Sequence, residues 1–440
     1  MNRGSEETPN RWLIEGGRIV DPSQNLDRAG RVLVDAGRIA AIDPSDEDVP
    51  PGVQRLEAGG LIVAPGLVDL GTELREPGRE EDETIASGVK AALVGGYTSV
   101  LCSSNTHPPI DTPGAVEFVR QKAARARGAR VHVIGCVSKG RRGAEMAELG
   151  LLVEAGAAAF SDSPAPLFNS ALVKRALEYC RMFDLPILDR PEIPELAGAG
   201  VMHEGQVSLV LGLNGLPTEA EDLAVARDVR LAEATGGRLH VGPVSTMGSV
   251  DLIRRVKSRG IDVTASVCPH NLTMDDRQLR SFDAKFKVHP PLRSPRHVAM
   301  LREALADETI DAIQSGHMPR ATEKKMDDLD LAPFGMSGLE TALAVIITEL
   351  ILPGKLDWLT AIARLSTTPA RIGKVEGGTL RVGKPADVIL IDPQSEWTVD
   401  ETRFLSRSHS TPFQRTRLTG CVTHAFVDGE LRYCRADDAP

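Results

Sequence analysis

Four histidines, His107, His270, His289 and His317, two carboxylates, Glu73 and Asp162, and one glycine-spaced basic run, Gly135-Cys136-Val137-Ser138-Lys139-Gly140-Arg141-Arg142-Gly143, are the residues here whose types could do chemistry. An imidazole can move protons or bind metal near neutral pH. None of the four has partners at metal-ligand spacing, so each reads as a structural histidine. Glu73 and Asp162 could form an acid and base pair, but nothing nearby supplies a nucleophile, and the reading goes against that pair. The basic run follows a β-rich segment without the spacing of a P-loop or dinucleotide fingerprint, and reads as a solvated loop. Cys102, Cys136, Cys180, Cys268, Cys421 and Cys434 are scattered with no CxxC pair, which indicates neither a disulfide framework nor a zinc ribbon.

These residues fall at the ends of short β-rich runs: Leu67 to Glu73, Thr98 to Cys102, Val131 to Val137, Ala157 to Ser161, Pro186 to Arg190, Arg238 to Gly242, Asp262 to Val267 and Asp311 to Gly316. Between them lie segments such as Pro113 to Arg127, Ser170 to Phe183 and Glu219 to Thr235, with apolar residues three and four apart. Eight strands alternating with helical crossovers predict an α/β fold, a (β/α)8 TIM-type barrel. The flanks instead alternate apolar and polar residues around turn signals at Gly16-Gly17 and Asp35-Ala36-Gly37, and again over Val382 to Tyr433. Neither flank has a core of its own, so the expectation is one small β-sandwich built from both termini, residues 1–64 and 375–440, beside a barrel over residues 65–374.

Composition narrows the function. With 51 Lys and Arg against 61 Asp and Glu, a formal charge of −10 and no strong basic cluster, nucleic-acid binding is not expected. The apolar stretch Thr341 to Leu352 is broken by Glu349 and falls short of a bilayer span. The polar start, Met1 to Asn10, lacks the apolar core of a secretory signal. A cytoplasmic protein is expected.

Pro65-Gly66-Leu67-Val68-Asp69-Leu70, Arg75-Glu76-Pro77-Gly78, Asn105-Thr106-His107-Pro108-Pro109-Ile110-Asp111, Pro290-Pro291-Leu292-Arg293 and Gly378-Thr379-Leu380 to Ala386-Asp387-Val388 form an ordered set that resembles dihydroorotase. The resemblance is collinear over nearly the whole chain and implies the amidohydrolase fold of barrel plus split β-domain. It also implies a divalent metal at the strand ends, where lowering the pKa of bound water generates hydroxide. The family's first-strand His-x-His falls on Gly71 and Glu73, its fourth-strand ligand on Ser163, its fifth- and sixth-strand histidines on Arg190 and Pro243, and its eighth-strand aspartate on Gly316. Glycine and proline offer no side-chain donor, arginine does not deprotonate, and only Glu73 keeps a side chain that commonly binds metal.

The expectation is therefore a pseudoenzyme with no catalytic residue, no metal and no cofactor. By the same resemblance it would be a structural subunit for the aspartate transcarbamoylase catalytic chain in pyrimidine biosynthesis, within an oligomeric assembly. Arg75 and Asn105 match positions that hold a substrate carboxylate and are read as a vestigial binding site. One alternative is an active cyclic amidohydrolase, metal-dependent or metal-independent; a third reading is a small-carboxylate sensor using Arg75 and Asn105. Arg190 is expected to occupy the old metal position and to pair with Glu73 or Asp189, because an unpaired buried arginine is costly. Lys324-Lys325, with Asp327, Asp328 and Asp330, is expected to be an exposed loop.

Overall fold

The computed structural model describes residues 11–435. Parallel strands at Leu67–Thr72, Tyr97–Cys102, Arg130–Gly135, Ala157–Phe160, Ile187–Asp189, Leu239–Val241, Val263–Val267 and Ala312–Ile313 pair in chain order. Every predicted run coincides with one of them. The observed strands stop short at the ends because residues such as Glu73, Arg190 and Gly316 leave the ladder to line the mouth.

Alternation along the strands separates two cores. Leu67, Val100, Val133, Phe160 and Ile187 pack outward against the helices, whereas Val68, Leu70, Leu101, Ile134, Ala159 and Leu188 fill the lumen with Ala370 and Ile372 of the helix Thr368–Gly373. This is the period-two geometry of a strand wrapped into a packed barrel. One side of the lumen is polar instead. His240 Nδ1 lies 2.9 Å from Thr264 Oγ1, and His240 Nε2 lies 2.9 Å from Ser266 Oγ.

The ladder leaves a seam between the first and eighth strands. The fully buried Asp69 bridges it, accepting from Ser315 N at 2.7 Å and Ser315 Oγ at 2.8 Å, and from Thr72 Oγ1 at 2.5 Å. The Pro-Gly-Leu-Val-Asp-Leu motif thus carries the residue that joins the ends of the barrel.

Both termini build one domain. Ile62–Pro65 pairs parallel with Trp12–Asp21 and antiparallel with Val388–Thr398, so the expected sandwich is a single mixed sheet of eight strands. Arg130 docks it on the barrel, donating to Asp387 Oδ2 at 2.7 Å and Asp428 Oδ1 at 2.6 Å. Among the described residues no helix is long and apolar enough to cross a membrane, and Cys102, Cys136, Cys180, Cys268 and Cys421 form no disulfide.

Asp69→Ala removes the acceptor of Ser315 N and opens the seam. The expected loss is about 3 kcal/mol, as for buried hydrogen bonds to a charged group, measured by urea denaturation; a change within ~0.5 kcal/mol contradicts the bridging role.

Candidate active site

Gly71, Glu73, Ser163, Arg190, Pro243 and Gly316 all line one cavity at the carboxyl ends of the barrel strands, together with Ser103, Ser161, Cys268, His289, Gln314 and His317. The motif alignment therefore picked residues that converge in space across more than 240 positions of sequence.

These residues do not fit the family's divalent metal. A Cβ at Gly71 would sit 3.2 Å from Gln314 Oε1, and one at Gly316 would sit 2.7 Å from His270 Cε1. Gly316 also has a φ of +70°, which disfavours any side chain there. Space that ligand side chains would need is thus taken by Gln314 and His270. Arg190 brings positive charge where a cation would sit. Among the described residues, no three His, Cys, Asp or Glu side chains gather as a metal requires.

Glu73 is already engaged. Arg75 Nη2 lies 2.6 Å from Glu73 Oε2, off-line for a hydrogen bond, and Asn105 Nδ2 donates to the same oxygen at 3.1 Å. Arg141 Nη1 in turn donates to Asn105 Oδ1 at 2.7 Å, while its Nε and Nη2 donate to Asp162 O at 2.9 and 2.8 Å. The guanidinium and carboxamide read as a carboxylate grip hold the chain's own carboxylate. Burial pushes the Glu73 carboxyl up, but Arg75, Arg320, Arg190 and the Asn105 bond more than offset it, leaving it below the usual carboxylate range. Burial lowers Arg75 to about 10, so both partners are charged at neutral pH.

Arg190 is buried in the cavity wall, but the expected pairing with Glu73 or Asp189 is not found. Among the described residues no carboxylate stands within 4.0 Å of it, and its Nε and Nη2 have no hydrogen-bond partner. Glu73 is taken by Arg75, and Asp189, pointing outward on its strand, lies 3.5 Å from Arg227.

The histidines separate by environment. His317 accepts from Gly338 N at Nδ1 and places Nε2 at 3.4 Å from Glu83 Oε2, a structural arrangement. His270 is buried behind Gly316, and burial together with Arg190 pushes it down to about 3. His107 is exposed, away from the cavity. His289 is the exception to the structural reading. Its Nε2 lies 2.9 Å from Glu192 Oε2, its Nδ1 has no partner, and it lines the cavity. Burial and Arg190 hold this imidazole below its usual range despite Glu192. Burial pushes the Cys268 thiol far up, so it supplies no thiolate.

Glu73 and Asp162 do not form a pair, in line with the reading against one: Asp162 accepts from Val137 N at 2.9 Å, Ser138 N at 3.1 Å and the Ser138 hydroxyl. Two loop expectations are corrected. The basic run is not a solvated loop, since Arg141 braces Asn105. Lys325 is buried and donates to Lys287 O and Pro333 O, while Lys324 holds Glu81 and Asp82 at 2.8 Å, so both lysines are tied down, whereas Asp327, Asp328 and Asp330 are exposed as expected. No local pattern marks Arg141 or the Glu192–His289 pair, whose members are far apart in sequence.

Residues 60–249 match the family model described as Dihydro-orotase-like. A protein of Rhodopirellula baltica named "Putative dihydroorotase" is 62% identical over 96% of this chain and 92% of its own length. A dihydroorotase of Pelotomaculum thermopropionicum is 44% identical over 95% of this chain and 97% of its own, and one of Thermoanaerobacter sp. 42% over 96% and 97%. The L-hydantoinase (dihydropyrimidinase) of Arthrobacter aurescens superposes with a TM-score of 0.87 at 23% identity, covering 98% of this chain and 97% of that one, a likeness of fold. The relatives' names correct the expectation of a non-catalytic pseudoenzyme: proteins that align along nearly the whole chain are named for the activity. That expectation had equated the loss of metal donors with the loss of chemistry.

Glu73→Gln leaves Arg75 buried without its counter-charge, and a loss of about 3–5 kcal/mol is expected at pH 7. The folded pKa of Glu73 lies below its unfolded one, so its contribution is full above the ordinary carboxylate pKa and fades as pH falls through the folded value. The stability gap between wild type and Glu73→Gln should therefore shrink below about pH 4; a gap constant down to about pH 2 in denaturant titrations contradicts the pairing.

Proposed function

Because the chain belongs to the dihydroorotase-like family, we propose that it is a cyclic amidohydrolase that opens or closes a small cyclic amide at the barrel mouth without the family's metal centre. The observation that carries this reading is the Glu192–His289 pair in the cavity, a base oriented by a carboxylate with its second nitrogen unpartnered. The named dihydroorotase relatives support the substrate class, a cyclic amide related to dihydroorotate.

Hydrolysis of such an amide forms a C–O bond from water and breaks the ring C–N bond. Neutral His289 takes a proton from the attacking water at Nδ1 while Nε2–H donates to Glu192, and the same proton passes to the leaving nitrogen. Glu192 fixes the tautomer and favours the imidazolium that forms. Arg190, with Arg293 beyond it, opposes that charge and keeps the resting imidazole neutral. Ring closure is the reverse sequence.

The resemblance also supports a separable proposal, association with the aspartate transcarbamoylase catalytic chain. Mixing the two chains should give one larger species by size-exclusion with light scattering; two independent peaks contradict it.

The test of the enzymatic reading is turnover of dihydroorotate and carbamoyl aspartate by chelator-treated protein with bound metal quantified. Turnover that survives metal removal and falls roughly 10²–10⁴-fold in His289→Ala, with Glu192→Gln intermediate, is expected. The rate should drop only below the usual imidazole range, since the base must be neutral and its pKa is depressed. No turnover in either direction, or turnover that tracks bound zinc, contradicts the reading.

A further inference from the structure

The geometry points to a carboxylate-binding site on Arg190, in which a ligand's carboxylate sits on the Nε–Nη2 edge of this guanidinium, at the centre that a metal occupies by family expectation. The inference rests on the reading of this mouth as the ligand site, and it names the chemistry of the ligand.

The other guanidinium groups at this end of the barrel face groups of the chain itself. Arg75 faces Glu73, Arg141 is spent on Asn105 and Asp162 O, and Arg320 donates to Phe334 O at 2.8 Å. Arg293 donates to Ser245 Oγ at 3.0 Å and Leu216 O at 2.7 Å. Arg190 alone among these combines a place in the cavity wall, 4% exposure, and two unpartnered nitrogens.

Those two nitrogens are the informative detail. Nε and Nη2 are buried and form one side of the guanidinium fork, the edge that takes a planar carboxylate through two parallel N–H···O bonds, so a ligand reaches it by displacing what covers this edge. Glu192 and Glu73 act on this cation only from beyond 4.0 Å, and a buried guanidinium whose fork contacts no carboxylate is costly, so an anion that fits gains the direct contact that those two do not make. A neutral isostere gains only ordinary hydrogen bonds. Serine hydroxyls at Ser103, Ser161 and Ser163 line the same cavity as further polar partners.

Size sets what enters. The cavity is about 50 Å³, room for roughly three to five water molecules at the ~10–15 Å³ each requires. A carboxylate head fits that space, whether on a free small acid or as the end group of a larger ligand whose body stays in the opening.

Isothermal titration and thermal-shift measurements on chelator-treated protein at constant ionic strength separate these cases, with acetate, its neutral isostere acetamide, carbamoyl aspartate and dihydroorotate as probes. Acetate should bind and stabilise while acetamide does not. Carbamoyl aspartate or dihydroorotate binding more tightly than acetate assigns the head group to a larger ligand; acetate binding alone assigns a free small acid. Arg190→Gln should weaken the carboxylate probes roughly tenfold to a hundredfold, and Arg190→Lys, which keeps the charge but not the fork, should fall between. Equal response to acetate and acetamide, or unchanged affinity in a folded Arg190→Gln protein, overturns the site. Should Arg190→Gln fail to fold, saturation-transfer NMR of acetate on wild type and Arg190→Lys decides: no transfer, or equal affinity in both, overturns it. Carboxylate binding through Arg190 with no turnover defeats the hydrolase reading and leaves this site standing; turnover with no Arg190-dependent binding does the reverse.

Discussion

The contact on which the barrel mouth depends is the hold of Arg75 and Asn105 on Glu73. It removes the one acidic side chain that keeps a metal-binding character and fills a guanidinium that would otherwise receive a ligand. It also leaves Arg190 with no carboxylate in contact, Glu192 and Glu73 acting on it only from a distance. Arg141 extends the arrangement by bracing the Asn105 amide from the loop after the third strand. A pair buried this deeply persists only because its partners balance each other's charge, so the charge pattern of the whole mouth follows from where this carboxylate goes.

The result is a site whose positive charge is built into the chain. Where family chemistry calls for a cation ringed by acidic and imidazole donors, this chain places a fixed guanidinium, fills the vacated volume with Gln314 and His270, and keeps His289 neutral beside it. The first-to-eighth-strand seam, bridged by Asp69, keeps these strand ends in register. Fold and chemistry separate here: the barrel is retained while the charge at its centre is exchanged.

Much of this was legible in the sequence. The eight strands follow from short apolar runs between amphipathic helices, and the six positions picked by the ordered motifs line one cavity, because strand-end residues are fixed by strand register. The side-chain pairings were not legible. Glu192 finds His289, Arg141 finds Asn105, and Asp69 finds Ser315 only through the closed barrel, and no periodicity encodes such partners. Lys325 looked solvated because its neighbours are charged, yet its ammonium is satisfied by backbone carbonyls that only the folded loop presents. The inference from missing metal donors to missing activity failed for a different reason. It counted the residues lost and did not ask what Arg190 and His289 bring in their place.

The most direct measurement is a crystal structure of metal-depleted protein soaked with carbamoyl aspartate. The expected result is the ligand carboxylate on the Arg190 Nε–Nη2 edge, His289 Nδ1 facing the ring-closing atoms, and Glu73 still held by Arg75 and Asn105. A ligand absent from the mouth, or a zinc-grown crystal in which Glu73 has left Arg75 to coordinate a metal, would contradict it.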